Sequence, residues 1–567
     1  MKKTSFYFIV AVLSSMIIIS CNGLKKMETH IAELGATATP NPLEVHGDSV
    51  EITINGKFPP KYFAKKAAVD ATPVLVNDGG GETKFKTVSY KGEQAAGNGE
   101  TVPYKAGKSF SYNNSVAYTP AMETSKLELR IHGKQGKKEA DFAPVPIAPG
   151  VITTPYLMKN DDKAMWSKDN FVRTMSYVND STQINFDYNS SALKPAELKQ
   201  KDITNLGAFL DSAAKNPKMV IKKIEFIAYA SPEGEMLLND NLANERADAG
   251  KKAFNDLAKK KKLTNVPETI FVMSPKGEDW EGFRAAMEKS NIEDRNIIIN
   301  VLKMTSDLQQ REQEIKNISK TYTEIQKDIF PSLRRCRIVV TYDMEGYSDA
   351  ELVQVGNSNP SVMTYEELMK AATLVDDMGQ KAAMYQAAAG KSDADYRAAN
   401  NLGVVYYMQN KMNDAETQWT KAYGMKKTPE TSNNMGIVKR VKGDRTGAMA
   451  MFTESGSSNE SSYNKGLIDI QNGDYSAAVS KMSNYKTFNS ALAKLLNKDN
   501  GGAKSDIDAS GDNSAQADYL RAVIAARSND GSAVGSSLKS AVQKDGSLGA
   551  KAKKDLEFRA HQDQLTF

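Results

Sequence analysis

Apolar and polar residues alternate along two well-separated stretches early in the chain. In "SVEITING", Val50, Ile52 and Ile54 alternate with polar residues, and in "KLELRIHG", Leu127, Leu129 and Ile131 do the same. A period of two with one apolar face predicts half-buried antiparallel strands. Glycine-rich "NDGGGET" and "AAGNGET" supply turns. Residues 46–150 therefore read as a β-rich domain, and "APVPIAPG" at 143–150 closes it with a proline-marked linker. Residues 151–175, with Trp166, read as linker, and 21–45 as a short tether.

From residue 176 the pattern changes to strand, helix, strand, helix. "STQINFDYN" puts Ile184, Phe186 and Tyr188 on one face. "KPAELKQKDITNLGAFLDSAAKN" carries a helical stripe of Leu198, Ile203, Leu206 and Leu210, with Pro195 near its first turn. "MVIKKIEFIAYAS", "DNLANERADAGKKAFNDLAK" and "ETIFVMSPKGEDW" predict a strand, a helix and a strand. A helical insertion over 280–330 follows, with Leu308, Ile315, Ile318, Tyr322, Ile325 and Ile329 near helical spacing, and "RRCRIVVTYD" is the last strand. Helices on a mixed sheet make this an α+β module at 176–345.

From 362 to 567 no strand pattern remains. A triple of residues spaced by 12 and 4 recurs: Gly403, Ala415, Trp419; Gly436, Ala448, Phe452; Gly466, Ala478, Met482; Ala491, Ala503, Ile507; and, more weakly, Ala522, Val534, Leu538. A small residue on one helix lets a small residue of the next approach, and a larger one a turn later fills the gap. Such hairpins cannot bury a core alone, so they stack.

The clearest copy, "NNLGVVYYMQNKMNDAETQWTKAYGMKKTP", resembles tetratricopeptide repeats, with Leu402, Gly403, Tyr406, Ala415, Trp419 and Ala422 at consensus places. That resemblance implies a solenoid whose concave groove, lined by first helices, binds partner proteins or peptides. The bland alternative is an array that packs only on its own neighbours. The β-rich domain reads as a small sandwich of immunoglobulin-like type. The fold class is thus multidomain: β-sandwich, α+β module, all-α solenoid.

"INFDYNSSALKP", "IAYASPEG", "NDNLANERADA" and "PSLRRCRIVV" make 176–345 resemble the OmpA C-terminal, peptidoglycan-binding family. In that family an aspartate in the loop binds the amine of diaminopimelate in the stem peptide, and an arginine on the following helix grips its carboxylate. The glycine, asparagine and arginine places fall on Gly234, Asn239 and Arg246, while the aspartate place falls on Ser231. A guanidinium fork at Arg246 suits a carboxylate. Ser231 does not replace the missing charge; Glu233 and Glu235 are substitutes at different spacing, and Pro232 alters the loop. The bland reading of Arg246 is an ion pair with Glu245 or Asp248, or a charge on the helix face.

The N-terminus, "MKKTSFYFIVAVLSSMIIISCNG", has two lysines, a short apolar run and a cysteine. It reads as an export signal over 1–20. The cysteine after the run resembles a bacterial lipobox, which implies lipidation of Cys21 and anchoring in an outer membrane. The one other cysteine, Cys336, then has no disulfide partner. A net charge of +5 over 567 residues argues against nucleic-acid binding. His30, His46, His132 and His561 are far apart and form no metal spacing. With no nucleophile elbow or phosphate loop either, no catalytic residue, metal or cofactor is expected. The sequence reads as a non-enzymatic envelope lipoprotein, facing the periplasm with the cell surface as the alternative, that links the outer membrane to peptidoglycan, scaffolds envelope proteins through 362–567, or both. The alternative is an accessory subunit of an outer-membrane assembly or secretion machine whose OmpA-like module no longer binds peptidoglycan.

Overall fold

The structure, a computed structural model, describes residues 23–263 and 266–567. Cys21 and the signal segment lie outside them. The described chain forms two compact units, residues up to 168 together with 392–567, and residues 169–391.

In the first unit the alternating stretches become the centre of a two-sheet sandwich. Strand Ser49–Phe58 pairs antiparallel with Lys108–Ala117, and Ala67–Asn77 pairs antiparallel with Ser125–Gln135. Val50, Ile52 and Ile54 of one sheet and Leu127, Leu129 and Ile131 of the other are all buried in one core. The sheets have five and seven strands, and two of their pairings are parallel, Val151–Ile152 with Leu43–His46 and Val88–Gly92 with Glu100–Val102. That departs from the purely antiparallel immunoglobulin-like arrangement. Residues 23–45 are not a free tether. Helix Gly23–Thr29 buries Leu24 and Met27 in the sandwich core, and Thr37–Thr39 and Leu43–His46 are members of its sheet. Their apolar residues are too few to show a period, which hid them.

The same unit contains the helical array. Its helices are α1 (Tyr396–Met408), α2 (Met412–Met425), α3 (Pro429–Val441), α4 (Arg445–Glu454), α5 (Asn459–Asn472), α6 (Tyr475–Lys481), α7 (Phe488–Leu496), α8 (Asn500–Ala509), α9 (Ala515–Arg527), α10 (Gly531–Lys544) and α11 (Ser547–Lys554). The spaced triples do what their spacing requires. A Cβ on Gly403 would stand 2.4 Å from the Trp419 ring, one on Gly436 2.5 Å from Phe452, and one on Gly466 2.8 Å from Met482. All the triple residues are buried. Successive helices pack as pairs, α1 with α2, α3 with α4, α5 with α6, α7 with α8 and α9 with α10. The sandwich docks on this array: Arg445 at the head of α4 forks onto Asp48 at 2.6 and 3.0 Å.

In the second unit four strands lie in the order Thr174–Asn185, Arg335–Glu345, Met219–Ala230, Phe271–Glu278. The last pair is parallel and the others antiparallel. Pro275 is tolerated because its strand is at the sheet edge. Helices Lys201–Lys215 and Met236–Lys260 cover the sheet, with Ile203, Leu206, Leu210 and Phe254 packed on Ile184, Phe226 and Ile338. Leu198 stays exposed, because Glu197–Lys199 forms a separate short turn before the helix begins. The insertion is a cluster of short helices with its own core of Phe283, Met287, Ile298, Ile325 and Phe330. The helical stretch begins earlier than 362, at Asp349, and its helices Asp349–Ser358, Tyr365–Thr373 and Met378–Ala389 belong to this unit rather than to the array. No helix of the described residues is long and apolar enough to cross a membrane.

Candidate functional site

The first helices of the array carry asparagines at one fixed place. Asn401, Asn434, Asn464 and Asn489 each precede by two the small residue of their first helix, Gly403, Gly436, Gly466 and Ala491. Asparagine is a poor helix former, and these four are at most 1% exposed. A buried amide must be hydrogen-bonded or it costs about 1–3 kcal/mol. Their partner is the segment read from sequence as a linker.

After a short 3-10 turn at Thr154–Leu157, residues 158–168 run along the array without helix or strand of their own, from the α7 end to the α1 end. Asn489 accepts from Lys159 N at 2.9 Å and donates to Lys159 O at 2.8 Å. Asn464 does the same to Lys163 at 2.7 and 3.0 Å. Asn434 holds Met165 at 2.8 and 2.9 Å, and Asn401 holds Ser167 at 2.7 and 2.9 Å. Each side-chain amide satisfies both main-chain groups of one residue, as a neighbouring β-strand would. The preceding asparagines brace the ladder. Asn400 donates to Met165 O at 3.0 Å and Asn433 to Lys163 O at 2.9 Å. Asn434 in turn donates to Asn400 Oδ1 at 2.9 Å, and Asn464 to Asn433 Oδ1 at 3.0 Å.

Side chains of this strap are gripped where the ladder skips from residue 163 to 159. Arg440 of α3 donates from Nε and Nη2 to both oxygens of Asp162, and its Nη2 also reaches Asn160 Oδ1 at 3.0 Å. Both members of that ion pair are essentially closed to solvent. Tyr407 donates to Asp162 at 3.3 Å. Asp161 accepts from Tyr463 at 2.6 Å and from Asn489 at 2.5 Å. Burial pushes the Asp161 carboxyl up, against the Lys163 ammonium and these donors. Burial, and then Asp161, push the Tyr463 phenol up as well. At the far end Lys159 Nζ lies 2.6 Å from Asp512 and 4.4 Å from the centre of the Phe488 ring. Burial alone raises the Asp512 carboxyl, but bonds from Lys159 and Ser514 outweigh it and hold it at about 2.

The α/β module holds the other candidate residues. Arg246 is 1% exposed. Its Nε donates to Ser190 O at 3.1 Å, Nη1 to Tyr229 O at 2.9 Å and Nη2 to Asp187 O at 3.3 Å. Burial, then the charge of Arg334, bring its pKa down to about 10. No ion pair of Arg246 with Glu245 or Asp248 occurs among the described residues; Glu245 accepts from Ser191 instead. Ser231 donates to Glu233 Oε1 at 2.6 Å, and Arg334 Nη2 reaches that same oxygen at 2.7 Å. Glu233 is therefore turned inward and ion-paired with Arg334. Asn239 donates to Glu233 O at 3.2 Å and to Glu278 at 2.8 Å. Gly234 takes φ +96°, and its N–H donates to Glu312 of the insertion at 2.9 Å. The structure thus brings Ser231 and Gly234 to one loop and Asn239 to the start of the helix Met236–Lys260 that follows it, with Arg246 further along that helix and buried. A cavity of about 640 Å³ opens on Gly234, Glu235, Glu278 and Glu312, and Arg246 does not line it.

No group of three or more His, Cys, Asp or Glu side chains placed to hold a metal ion occurs among the described residues. No family model matches the chain, and neither does any curated protein. Among solved structures, a tetratricopeptide repeat protein from Parabacteroides merdae is 12% identical with a TM-score of 0.29, covering 39% of this chain and 91% of that one. PilW, a widely conserved type IV pilus biogenesis factor, is 14% identical with a TM-score of 0.27, covering 38% and 99%. The Cut9–Hcn1 complex is 10% identical with a TM-score of 0.31, covering 59% and 77%. Likenesses this weak assign neither family nor activity.

Proposed function

We propose that the chain is a non-enzymatic scaffold of a bacterial cell envelope, anchored in the outer membrane through a lipid on Cys21, whose helical array binds extended polypeptide by its main chain. The asparagine ladder carries this reading, because four alternate helices, α1, α3, α5 and α7, place the same side chain on both polar groups of one residue each. In this chain the ladder clamps residues 159–167, which ties the β-sandwich to the array. Partner proteins then dock on the assembled body.

The α/β module takes part as a folded body rather than through a carboxylate clamp. The three directions of the Arg246 guanidinium are spent on Asp187, Ser190 and Tyr229 carbonyls, and Ser231 offers no charge for an amine. This favours the accessory-subunit reading over the peptidoglycan link. Purified sacculi incubated with the full chain are the test. Wild type should stay in the supernatant, and in-cell crosslinking should recover defined envelope proteins. Retention of wild type on sacculi, lost in Arg246→Lys, would replace this reading with peptidoglycan binding.

A further inference from the structure

The strap is held by polar contacts that another chain can reproduce. Between residues 155 and 168 only Asp162 and Ser167 are buried, and both are polar. The ladder bonds go to N–H and C=O groups that every residue except proline offers. Selectivity enters where strap side chains are held, at Lys159 and Asp161 and above all at Asp162, which Arg440 and Tyr407 bury. The strap leaves that place incompletely filled. A cavity of about 400 Å³ remains beside it, lined by Asp161, Asp162, Tyr407, Met408, Met412 and Val441. Met408 is 53% exposed and Val441 42% exposed on its rim.

We propose that residues 159–167 are a tethered competitor for the groove. The other occupant is an extended segment of a partner protein with an aspartate for Arg440 and an adjacent apolar side chain for the cavity between Tyr407 and Val441. This rests on the reading that the array binds extended polypeptide. The strap is covalently held at both ends, so its effective concentration is on the order of millimolar. A free peptide with the same contacts loses to it, and a partner wins only when it is itself concentrated by another contact.

The probe is a fluorescent peptide of residues 156–169 of this chain, added to the full-length protein. In the double variant Lys163→Pro/Met165→Pro the strap loses the N–H groups that Asn464 and Asn434 accept. That variant should bind the peptide about 100-fold more tightly than wild type does. A peptide with Asp162→Ala should bind it at least about 10-fold more weakly. Equal binding to wild type and variant, or none to a folded variant, overturns the proposal. If the variant does not fold, hydrogen exchange on the wild type decides. Amides of Lys163, Met165 and Ser167 should exchange about 100-fold faster than those of Ile437 and Val438 in α3, through local opening. Exchange of the strap only together with α3 overturns the competitor while leaving the permanent clamp, and so the scaffold reading, intact.

Discussion

Two regions of this protein bury polar side chains against main chain, and they do so to different ends. In the α/β module a single arginine, Arg246, gathers the carbonyls of Asp187, Ser190 and Tyr229 and so stiffens the strand end and loop of its own module. In the array the buried amides recur with the repeat and reach a segment more than 200 residues away in sequence. A lone buried donor of this kind serves the local fold. The same group repeated on alternate helices builds a surface that holds another segment by its main chain.

Changes that separate these two uses should fall in a definite order. The largest effect belongs to Arg440→Ala, which leaves the Asp162 carboxylate buried without its ion-pair partner; such losses cost about 3–5 kcal/mol. Urea unfolding of the first unit should record it, and amide exchange at Lys163 and Met165 should rise. Arg246→Ala comes next, at about 3 kcal/mol for carbonyls left without a donor. Its effect should appear in the second unit alone. The reporter is Cys336, a fully buried thiol that burial pushes up to about 12, so it should react with thiol reagents only on unfolding. Equal loss at the strap amides would break the distinction between the two regions.

Asn434→Ala should cost less, about 1–2 kcal/mol, because one rung fails while its neighbours hold. Asn434→Asp tests the chemistry more sharply. It keeps the acceptor for Met165 N but loses the donor to Met165 O and Asn400, so it should destabilise at least as much as alanine at neutral pH. The smallest effect is in acid. Asp512 has a folded pKa below the ordinary carboxylate value, so its contribution is present above about pH 4 and is lost as pH falls toward about 2. Asp161 has the opposite sign: its carboxyl is raised, so protonation favours the folded state and the contribution is lost as pH rises through its folded pKa. In Asp512→Asn the acid limb of a pH–stability profile should be shallower than in wild type.

Much of the architecture was legible because apolar periodicity survives in single segments. Val50, Ile52 and Ile54 mark a strand, and the Gly403–Ala415–Trp419 spacing marks a helix hairpin, since in each case one burial geometry dictates the pattern. The ladder was equally periodic but polar. Asn401, Asn434, Asn464 and Asn489 stand two residues before each small residue, and the signal lapses at Leu520 before Ala522. Asparagines on a helix ordinarily read as solvent-facing, so their recurrence was the clue and their type was not. The strap had no period to read, because half-exposed residues holding through main chain place almost no demand on side-chain type. The α/β loop could be located in the sequence, yet the inward turn of Glu233 depends on Arg334, about a hundred residues further on.

The path of the strap also sets an order of events during synthesis. It leaves the sandwich at residue 153 and ends at Lys168, whose carbonyl accepts from Arg397 in α1 at 3.3 Å. All of residues 169–391 is spliced between the strap and the helices that clasp it. A chain emerging from its N-terminus therefore presents the strap long before Asn489 exists. At about 5–20 residues per second the wait is on the order of tens of seconds. The inserted α/β unit, contiguous in sequence, is free to fold within that interval. The unit that comes first in the chain is completed last.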